Sequence, residues 1–380
     1  MNILLIGSGG REHDLALVLS RSKELENLYA APANPGILQV AKQAQISIND
    51  FNQVSTFCKE NHIDFVVIGP EQPLEAGLSD ALRSEGIVVF GPSKQAAMLE
   101  TSKSFAKEFM VRHTIPTASF KRFTVIQQAQ ALEYVKNHPL PVVIKADGLA
   151  AGKGVVVAET TLDAENAIKD ILGGSFGSAG AEVVVEAFLK GEEASVFAIC
   201  DGRNFLTLAP AQDHKRAFDG DKGKNTGGMG AFAPAAIVTE EILKKVKEKI
   251  IAPTLAGMAE EGAPFIGCLF VGLMIDNGEP SVVEFNCRFG DPETQAVLSV
   301  TEGDFADLFF SAALGLLHPG AITNIYNGYA CNVVLASGGY PDTYKTGYSI
   351  TGISDAEETG VTVFHAGTKI ENSSLVTNGG

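Results

Sequence analysis

Cysteine is scarce in this chain, and its spacing disfavours the usual cysteine-based sites. The 380 residues contain five cysteines, an odd number with no Cys-x-x-Cys pair. Disulfide frameworks use several paired cysteines, and zinc sites use closely spaced ones. The sequence therefore predicts neither kind of site, and it indicates a reducing compartment such as the cytoplasm.

Long apolar runs and runs of basic residues are also missing. No uninterrupted apolar stretch approaches the ~20 residues of a membrane-spanning helix, and the first ten residues lack the basic start of a signal peptide. With 29 basic and 45 acidic residues, the formal net charge is −16. No basic run is long enough to follow a phosphate backbone, so we expect small-molecule partners and neither a nucleic acid nor a membrane.

Glycine, in contrast, is abundant, with 40 residues in a chain that is 45% hydrophobic and 19% charged. This composition is typical of a globular protein, and the length exceeds what one hydrophobic core usually supports. We therefore expect several compact domains in which many glycine loops approach a ligand.

The first hundred residues alternate short apolar runs with glycine turns and helical patterns. Residues 2–6 lead into a turn that contains Gly9 and Gly10, and the runs Phe65–Ile68 and Ile87–Phe90 also end at glycine. This alternation predicts an open parallel α/β sheet with ligand loops at the carboxyl ends of its strands. The first turn is a candidate anion site, although a plain strand-to-helix turn also explains it.

The middle of the chain predicts a hairpin lid followed by a second sheet. Strands at Pro141–Ala146 and Val155–Ala158 flank a glycine-rich loop, and a third strand follows at Glu182–Glu186. From Ala194 to the early 300s, apolar strands with polar edges predict a mostly antiparallel sheet with helices. A small C-terminal domain follows, with a strand signal at Val361–Phe364.

The loop between the two lid strands carries the clearest phosphate-binding pattern. Lys145 ends the first strand, and Gly152, Lys153 and Gly154 close the loop. Two lysines around exposed backbone amides can clamp a polyphosphate, and the absence of Gly-Lys-Ser/Thr before a helix excludes a Walker A loop. Lys103 is a candidate for a second phosphate contact, although alone it is typical of a solvated helix residue.

Two further segments are weaker candidates. Residues 186–189, Glu-Ala-Phe-Leu, form an apolar linker whose backbone can pair with adenine, and a following glutamate can accept ribose hydroxyls. Alone, this segment also fits an acidic surface turn. Asp213 and His214 precede a long glycine loop at 225–230 that we expect to face a substrate. His214 is a base only if it reaches a substrate amine.

The densest constellation is Glu284-Phe285-Asn286-Cys287-Arg288-Phe289-Gly290-Asp291-Pro292-Glu293-Thr294. On a strand, Glu284 and Asn286 point to the same face and supply the hard oxygen ligands that Mg²⁺ accepts beside nucleotide phosphates. Arg288 continues this alternation. Its guanidinium can hold a substrate carboxylate or the acyl phosphate formed from it.

Three strings together resemble one family. Residues 146–154, 225–231 and 284–295 are similar, in order, to the signatures of the phosphoribosylamine–glycine ligases, also called glycinamide ribonucleotide synthetases, of the ATP-grasp superfamily. The similarity runs from the opening glycine turn to the last residue. The resemblance implies an α/β and α+β multidomain chain: an open parallel α/β domain at 1–100, an ATP-grasp domain at 101–325 with a lid at about 122–187, and a C-terminal domain at 326–380.

The resemblance also implies an activity and a role for individual residues. The activity is ATP-dependent ligation of glycine to 5-phosphoribosylamine, through glycyl phosphate, in purine biosynthesis. Glu284 and Asn286 would bind Mg²⁺ or Mn²⁺. ATP would be held by Lys103, Lys145, Glu186, Ala187, Phe188, Leu189 and, at its ribose, Glu193. Glycine and the acyl phosphate would lie near Asp213, Arg288, Gly290, Asp291 and Pro292, and Lys145 and Arg288 would neutralise charge. The phosphoribosylamine would face Gly9, Gly10 and Glu71.

Two other interpretations stay open at this stage. A different ATP-grasp ligase or carboxylase would share the lid and the metal strand and would use another acid and nucleophile. A nucleotide-binding module without turnover is the other alternative, because family members continue for a few dozen residues beyond the Asn-Gly-Gly turn at 378–380. We expect the C-terminal domain to be truncated, with apolar surface left uncovered.

Overall fold

The computed structural model describes residues 1–148, 154–175, 177–220, 222–326 and 328–380, without the side chains of Ser178 and Ala179. Within these ranges, no helix has the length and apolar character needed to cross a membrane. The mixed architecture predicted from the sequence is confirmed, while the domain boundaries at 100 and 325 stay predictions.

The N-terminal part is a parallel sheet with helices on both faces. Its strands are β1 (Asn2–Ile6), β2 (Asn27–Ala31), β3 (Lys42–Gln43), β4 (Phe65–Ile68) and β5 (Val88–Phe90). Its helices are α1 (Gly10–Ser20), α2 (Phe51–Glu60), α3 (Glu71–Ala76), α4 (Leu78–Ser84) and α5 (Lys94–Thr101). The strand order β3-β2-β1-β4-β5 changes direction at β1, so the ligand crevice lies between the carboxyl ends of β1 and β4.

Glycines at these two strand ends make room for one side chain. A Cβ on Gly7, after β1, would lie 2.4 Å from Glu12 Cγ, and a Cβ on Gly69, after β4, would lie 2.3 Å from Glu12 Oε1. Any larger residue at Gly7 or Gly69 would therefore displace the side chain of Glu12, for which the two glycines leave room in the crevice.

The link to the next domain contains a helix break. The helix α6 (Lys103–Arg112) follows α5 after Ser102 alone, whose φ of −134° and ψ of 110° are those of extended backbone. The Ser102 hydroxyl accepts from the Phe105 N–H at 3.1 Å, which is the capping interaction that begins a new helix. The break gives Lys103 the first position of α6.

The lid is an antiparallel sheet with the order β6-β9-β7-β8, which confirms the predicted hairpin. Its elements are β6 (Phe120–Thr124), α7 (Gln128–Lys136), β7 (Val142–Ala146), β8 (Val155–Ala158), α8 (Thr161–Asp170) and β9 (Glu182–Ala187). Ile144 and Val185 belong to the core under the helices. Because side chains alternate along a strand, Lys145 and Glu186 lie on the opposite face.

The central sheet is also antiparallel, with the order β11-β10-β16-β17. The strands of this region are β10 (Glu192–Asp201), β11 (Phe205–Thr207), β12 (Gln212–Asp213), β13 (Arg216–Phe218), β14 (Lys222–Asn225), β15 (Gly230–Ala233), β16 (Ile266–Asp276) and β17 (Glu279–Asn286). Its helices are α9 (Glu240–Val246), α10 (Ala252–Glu260), α11 (Glu293–Ser299) and α12 (Phe305–Ala313). A π-helical turn, Lys247–Ile251, joins α9 to α10, next to Pro253, which cannot donate a helical hydrogen bond.

The C-terminal residues return to the first two domains. Their elements are β18 (Glu302–Gly303), β19 (Ile322–Asn324), β20 (Ala330–Val333), α13 (Ile353–Glu357), β21 (Thr368–Glu371) and β22 (Ser374–Thr377). Strand β20 pairs with β15, and the His365 N–H donates to His13 Nδ1 of α1 at 2.9 Å. The strand predicted at Val361–Phe364 is wrong: Phe364 packs edge-on against His13 at 5.9 Å between ring centres.

We predict that Gly191→Ala lowers stability more than an ordinary glycine replacement. Gly191 has a φ of +130°, and an added Cβ would lie 2.3 Å from the Ile275 carbonyl oxygen. Strained backbone and a forced shift of β16 together cost about 1–3 kcal/mol. Thermal unfolding measures the effect. Gly173→Ala is the control, because its Cβ would meet nothing within 4 Å; equal unfolding midpoints for the two variants would contradict the prediction.

Candidate active site

Strand β17 carries the two predicted metal ligands on one face of the central sheet. Asn286 lies opposite Phe270 and Glu284 lies opposite Gly272, and the register then skips so that Val282 faces Leu273. The bulged residue Val283 turns its carbonyl toward Lys145 Nζ at 3.1 Å. The bulge thus joins the lid to the strand immediately before Glu284.

Glu284 is held in its ionised form by the cations around it. Burial opposes ionisation, but the charges of Lys215, Lys145, Lys103 and then Arg288 keep the pKa of this carboxyl below its usual value. Within the described part of the chain, neither its carboxylate nor the Asn286 amide makes a hydrogen bond. An ionised carboxylate and a free amide oxygen on one face fit the donor set of Mg²⁺ or Mn²⁺.

Glu186 lies between two lysines. Lys107 Nζ is 2.8 Å from one carboxylate oxygen of Glu186, and Lys145 Nζ is 3.0 Å from the other. All three side chains are at most 5% exposed. Burial lowers the pKa of Lys107 to about 8, against the opposing charge of Glu186. The acidic surface turn considered from the sequence is therefore wrong for Glu186, which fixes Lys145 beside Glu284, whereas Lys190 and Glu192 farther along the segment are exposed.

The linker after β9 presents its two sides to different surroundings. Ala187 and Phe188 line an outer groove of 1110 Å³ together with Tyr134 of α7. The backbone N–H of Leu189 has no hydrogen-bond partner among the described residues. The linker therefore leaves a backbone donor free among the described residues, while Phe188 lines the outer groove.

Lys103 begins α6 and contacts the lid loop. Its Nζ is 3.3 Å from the Gly148 carbonyl and its backbone N–H donates to the Asp147 carbonyl at 3.0 Å. Burial lowers the pKa of Lys103, and the charge of Glu284 opposes this shift. On the lid side, the Gly154 carbonyl accepts from the Ala146 N–H at 2.8 Å. The predicted phosphate residues Gly152 and Lys153 lie outside the described residues.

Arg288 follows the end of β17 and is held by carboxylates from two directions. Its Nε lies 3.1 Å from Glu71, at the start of α3, and a terminal nitrogen lies 2.7 Å from Glu100 of α5. Burial would lower the pKa of Arg288, but Glu100 and Glu71 raise it above its usual value. Burial likewise opposes ionisation of Glu71, yet Arg288 and Arg11 lower its pKa. Arg288 is therefore a fixed, permanent cation.

A second group of charged side chains is formed by Lys215, Glu193, Asp213 and Glu293. Lys215 Nζ is 2.8 Å from Glu193 and 3.8 Å from Asp213. Burial raises the pKa of Asp213 although Lys215 opposes it. Burial, and next the charge of Asp213, raise the pKa of Glu293 to about 7. The neighbouring carboxyls of Asp213 and Glu293 thus both depend on Lys215 for neutralisation. Such an arrangement favours the binding of a further cation or the retention of a proton.

Two backbone amides at the start of α1 are already paired with carboxylates. The Gly9 N–H donates to Glu12 Oε2 at 2.6 Å, and the Arg11 N–H lies 3.3 Å from Asp291 Oδ2. A Cβ on Gly10 would lie 2.8 Å from the Gln295 amide nitrogen. An anion at this turn would therefore compete with Asp291, while a ligand hydroxyl would find acceptors.

The loop that carries Asp291 is packed against the glycine-rich segment that contains Gly228. A Cβ on Gly290 would lie 2.6 Å from Glu293 Oε2, and a Cβ on Gly228 would lie 2.2 Å from Pro292 Cδ. The Pro292 carbonyl accepts from the Asn332 amide of β20 at 3.1 Å. The close contact of Gly228 with the Pro292 ring and the bond from Asn332 fix the loop, whose Asp291 accepts from the Arg11 N–H at the start of α1.

Family models cover most of this chain. The N domain of phosphoribosylglycinamide synthetase matches residues 1–100, its ATP-grasp domain matches 101–294, and its C domain matches 330–380. The chain belongs to the phosphoribosylglycinamide synthetase family. The residues gathered around Glu284 come from the ATP-grasp part of this match, and Gly9, Gly10 and Glu71 come from the N domain.

Individual relatives agree with this family. The phosphoribosylamine–glycine ligase of Mesorhizobium japonicum is 52% identical over all of this chain and 89% of its own length. The crystal structure of the Thermotoga maritima phosphoribosylamine–glycine ligase is 33% identical, with a TM-score of 0.84 over 100% of this chain and 90% of that chain. A biotin carboxylase from Campylobacter jejuni, 19% identical with a TM-score of 0.67 over 87% of this chain and 74% of that chain, shares the fold.

Three charged residues of the cleft were missed at the level of sequence. Lys107 and Glu100 lie on helices with no glycine or motif beside them, and each acts on a site residue through long-range contacts. Lys215 follows Asp213 by two residues but lies outside β12, which ends at Asp213, so no strand pattern pointed to its pairing with Asp213 and Glu193.

We predict that Lys107→Met weakens ATP binding by about tenfold. The cluster of Lys107, Lys145 and Glu186 contains two ammonium groups and one carboxylate, and it therefore has a net positive charge. In the variant, Glu186 pairs with Lys145 alone, and this net positive charge disappears. Titration calorimetry with ATP measures the change. Lys94→Met, at an exposed position on α5, is the control, and an equal dissociation constant for both variants would contradict this role.

We also predict that Glu293→Gln changes how stability depends on pH. A carboxyl whose pKa is raised from 4.5 to about 7 binds more protons when folded, so its ionisation lowers stability as pH rises between these values. Between about pH 5.8 and about pH 7.8, the wild type should lose about 1–2 kcal/mol relative to Glu293→Gln. Urea unfolding at both pH values measures this, and parallel curves would show that Glu293 titrates normally.

Proposed function

We propose that this chain joins glycine to 5-phosphoribosylamine with ATP, giving glycinamide ribonucleotide, ADP and phosphate for purine biosynthesis. One observation carries the proposal: the residues that match the family's motifs converge on Glu284, whose charge interacts with Lys103 and Lys145 from two other segments and with Arg288 farther along its own. A cluster of fixed cations beside an ionised carboxylate suits phosphoryl transfer, in which catalysis is mostly positioning and neutralisation of charge.

ATP would lie between the lid and the central sheet. The free N–H of Leu189 would pair with adenine, and Glu193 would accept a ribose hydroxyl. Lys145 and Lys103 would neutralise the phosphates, and Gly152, Lys153 and Gly154 of the lid-loop motif would be further phosphate ligands. Mg²⁺ or Mn²⁺, when bound by Glu284 and Asn286, would supply further neutralisation of the ATP phosphates.

Glycine would bind through its carboxylate to Arg288 and through its ammonium group to Asp213. A carboxylate oxygen then forms a bond to the γ-phosphorus, and the bond from that phosphorus to the oxygen of ADP breaks. Arg288 and Lys145 neutralise the oxygens of the glycyl phosphate. The lid excludes the water that would otherwise hydrolyse this intermediate.

The phosphoribosylamine would reach the acyl phosphate from the N-terminal domain. Glu71 lies 3.1 Å from Arg288, so a substrate held at Glu71 and at the turn of Gly9 and Gly10 is adjacent to the acyl group. The amine nitrogen bonds to the carbonyl carbon, and phosphate leaves. The carboxylates of Glu12 and Asp291 offer acceptors for ribose hydroxyls at this turn.

The proposed partners are therefore glycine, phosphoribosylamine and ATP, with neither nucleic acid nor membrane involved. The five cysteines are all unpaired and four are buried, which supports a reducing, cytoplasmic location.

The direct test is ADP release by the purified chain with ATP, Mg²⁺, glycine and freshly generated phosphoribosylamine, each omitted in turn. Release that needs both glycine and the amine supports the proposed ligase. Release with another small acid in place of glycine would indicate a different ATP-grasp ligase. ATP binding without release under saturating substrates would indicate a binding module.

We predict that Glu284→Gln lowers turnover about a thousandfold or more, because it removes the charge that holds the metal ion. The unfolding midpoint should stay close to that of the wild type, since glutamine keeps the size of the side chain. Glu279→Gln, in the same strand but exposed and paired with Lys245 and Lys249, is the control. A Glu284→Gln variant with near-normal turnover would remove Glu284 from the metal site.

A further inference from the structure

A buried carboxylate outside the motifs lies beneath the anion-binding arginine. Glu100, near the end of α5, is 8% exposed, and its Oε1 accepts from a terminal nitrogen of Arg288 at 2.7 Å. Its Oε2 accepts from the Cys287 backbone N–H at 2.8 Å and from the Cys287 thiol at 3.0 Å. One side chain therefore holds both a guanidinium and the backbone that carries it.

The negative charge of Glu100 opposes the binding of an anion by Arg288, so its presence here must have another reason. Its negative charge lies beside Arg288 and also acts on Lys103, so it weakens the attraction of both cations for a phosphate or a carboxylate. Burying a carboxylate is also unfavourable unless it is well paired. Glu100 must therefore contribute through the geometry that it imposes.

That geometry is visible in the hydrogen bonds of the guanidinium. Arginine has five N–H donors in one plane. Nε donates to Glu71 at 3.1 Å, one terminal nitrogen donates to the Phe289 carbonyl at 3.2 Å, and the other donates to Glu100 at 2.7 Å. Each terminal nitrogen keeps one further N–H. Such a fixed pair of donors matches the two oxygens of a carboxylate.

We propose that Glu100 is a positioning residue for the acid substrate. It orients Arg288 so that the two remaining N–H groups bind the carboxylate of glycine and then the oxygens of the acyl phosphate. This inference rests on the function proposed above and deepens it. Glu71 differs from Glu100, since its carboxylate is 27% exposed and reaches Arg288 from the side of the amine substrate.

The test compares Glu100→Gln and Glu100→Asp with the wild type. Glutamine keeps an acceptor for Cys287 but removes the charge that fixes Arg288, while aspartate keeps the charge on a shorter side chain. We expect Glu100→Gln to raise the KM for glycine about tenfold or more, with the Kd for ATP within about twofold of the wild type. We expect Glu100→Asp to have an intermediate KM. Glu75→Gln, at an exposed position on α3, is the control for the chemical change.

A purely structural role would give a different pattern. Loss of folded enzyme lowers kcat and leaves the KM for glycine unchanged, and that result overturns the inference. An equal loss of affinity for ATP and for glycine also overturns it. If Glu100→Gln does not fold, the KM of Glu100→Asp decides in the same way. If the wild type shows no glycine-dependent ADP release, the proposed function is refuted, and this inference is refuted with it. If the wild type is active and the variants have an unchanged KM for glycine, only the inference is refuted.

Discussion

The cleft depends on one electrostatic constraint, which is the neutralisation of its cations before any substrate arrives. Lys107 and Lys145 share Glu186, Lys215 lies between Glu193 and Asp213, and Arg288 lies between Glu71 and Glu100. A buried ion without a partner is very costly, whereas a paired one is tolerated. The protein can therefore fold with its cations in place, and each pair orients a donor toward the strand of Glu284.

Arg288, Lys145 and a hydrogen bond of His13 also connect the domains. Arg288 joins the end of the central sheet to α3 and α5, Lys145 joins the lid to the bulge of β17, and His13 joins α1 to the C-terminal segment through His365. The site is thus formed at the junction of several structural units, and no single unit contains it. Such a junction suits a reaction in which three substrates must meet and water must be excluded.

The sequence predicted the elements that have local signals. Alternating apolar residues marked the lid hairpin, and apolar runs that end in glycine marked the parallel sheet. Strand alternation is a local property, so the sequence predicted that Glu284 and Asn286 share one face of a strand; their role as metal ligands stays a prediction. The sequence did not reveal the roles of Lys107 and Glu100 or the burial of Glu186. A charged residue on a helix or after a strand is predicted to be solvated as long as its distant partner is unknown. The strand wrongly predicted at Val361–Phe364 failed for a related reason: Phe364 packs onto His13 of another domain, whereas Val361 is exposed.

The central claim is that this arrangement of charges activates a carboxylate as an acyl phosphate. The most direct measurement supplies glycine labelled with ¹⁸O in its carboxylate, together with ATP and phosphoribosylamine, and determines the isotope content of the released phosphate. The account predicts that one labelled oxygen passes from each glycine to phosphate in every turnover, because the bond that breaks lies between the carbonyl carbon and that oxygen. Unlabelled phosphate formed during glycine-dependent turnover would contradict it.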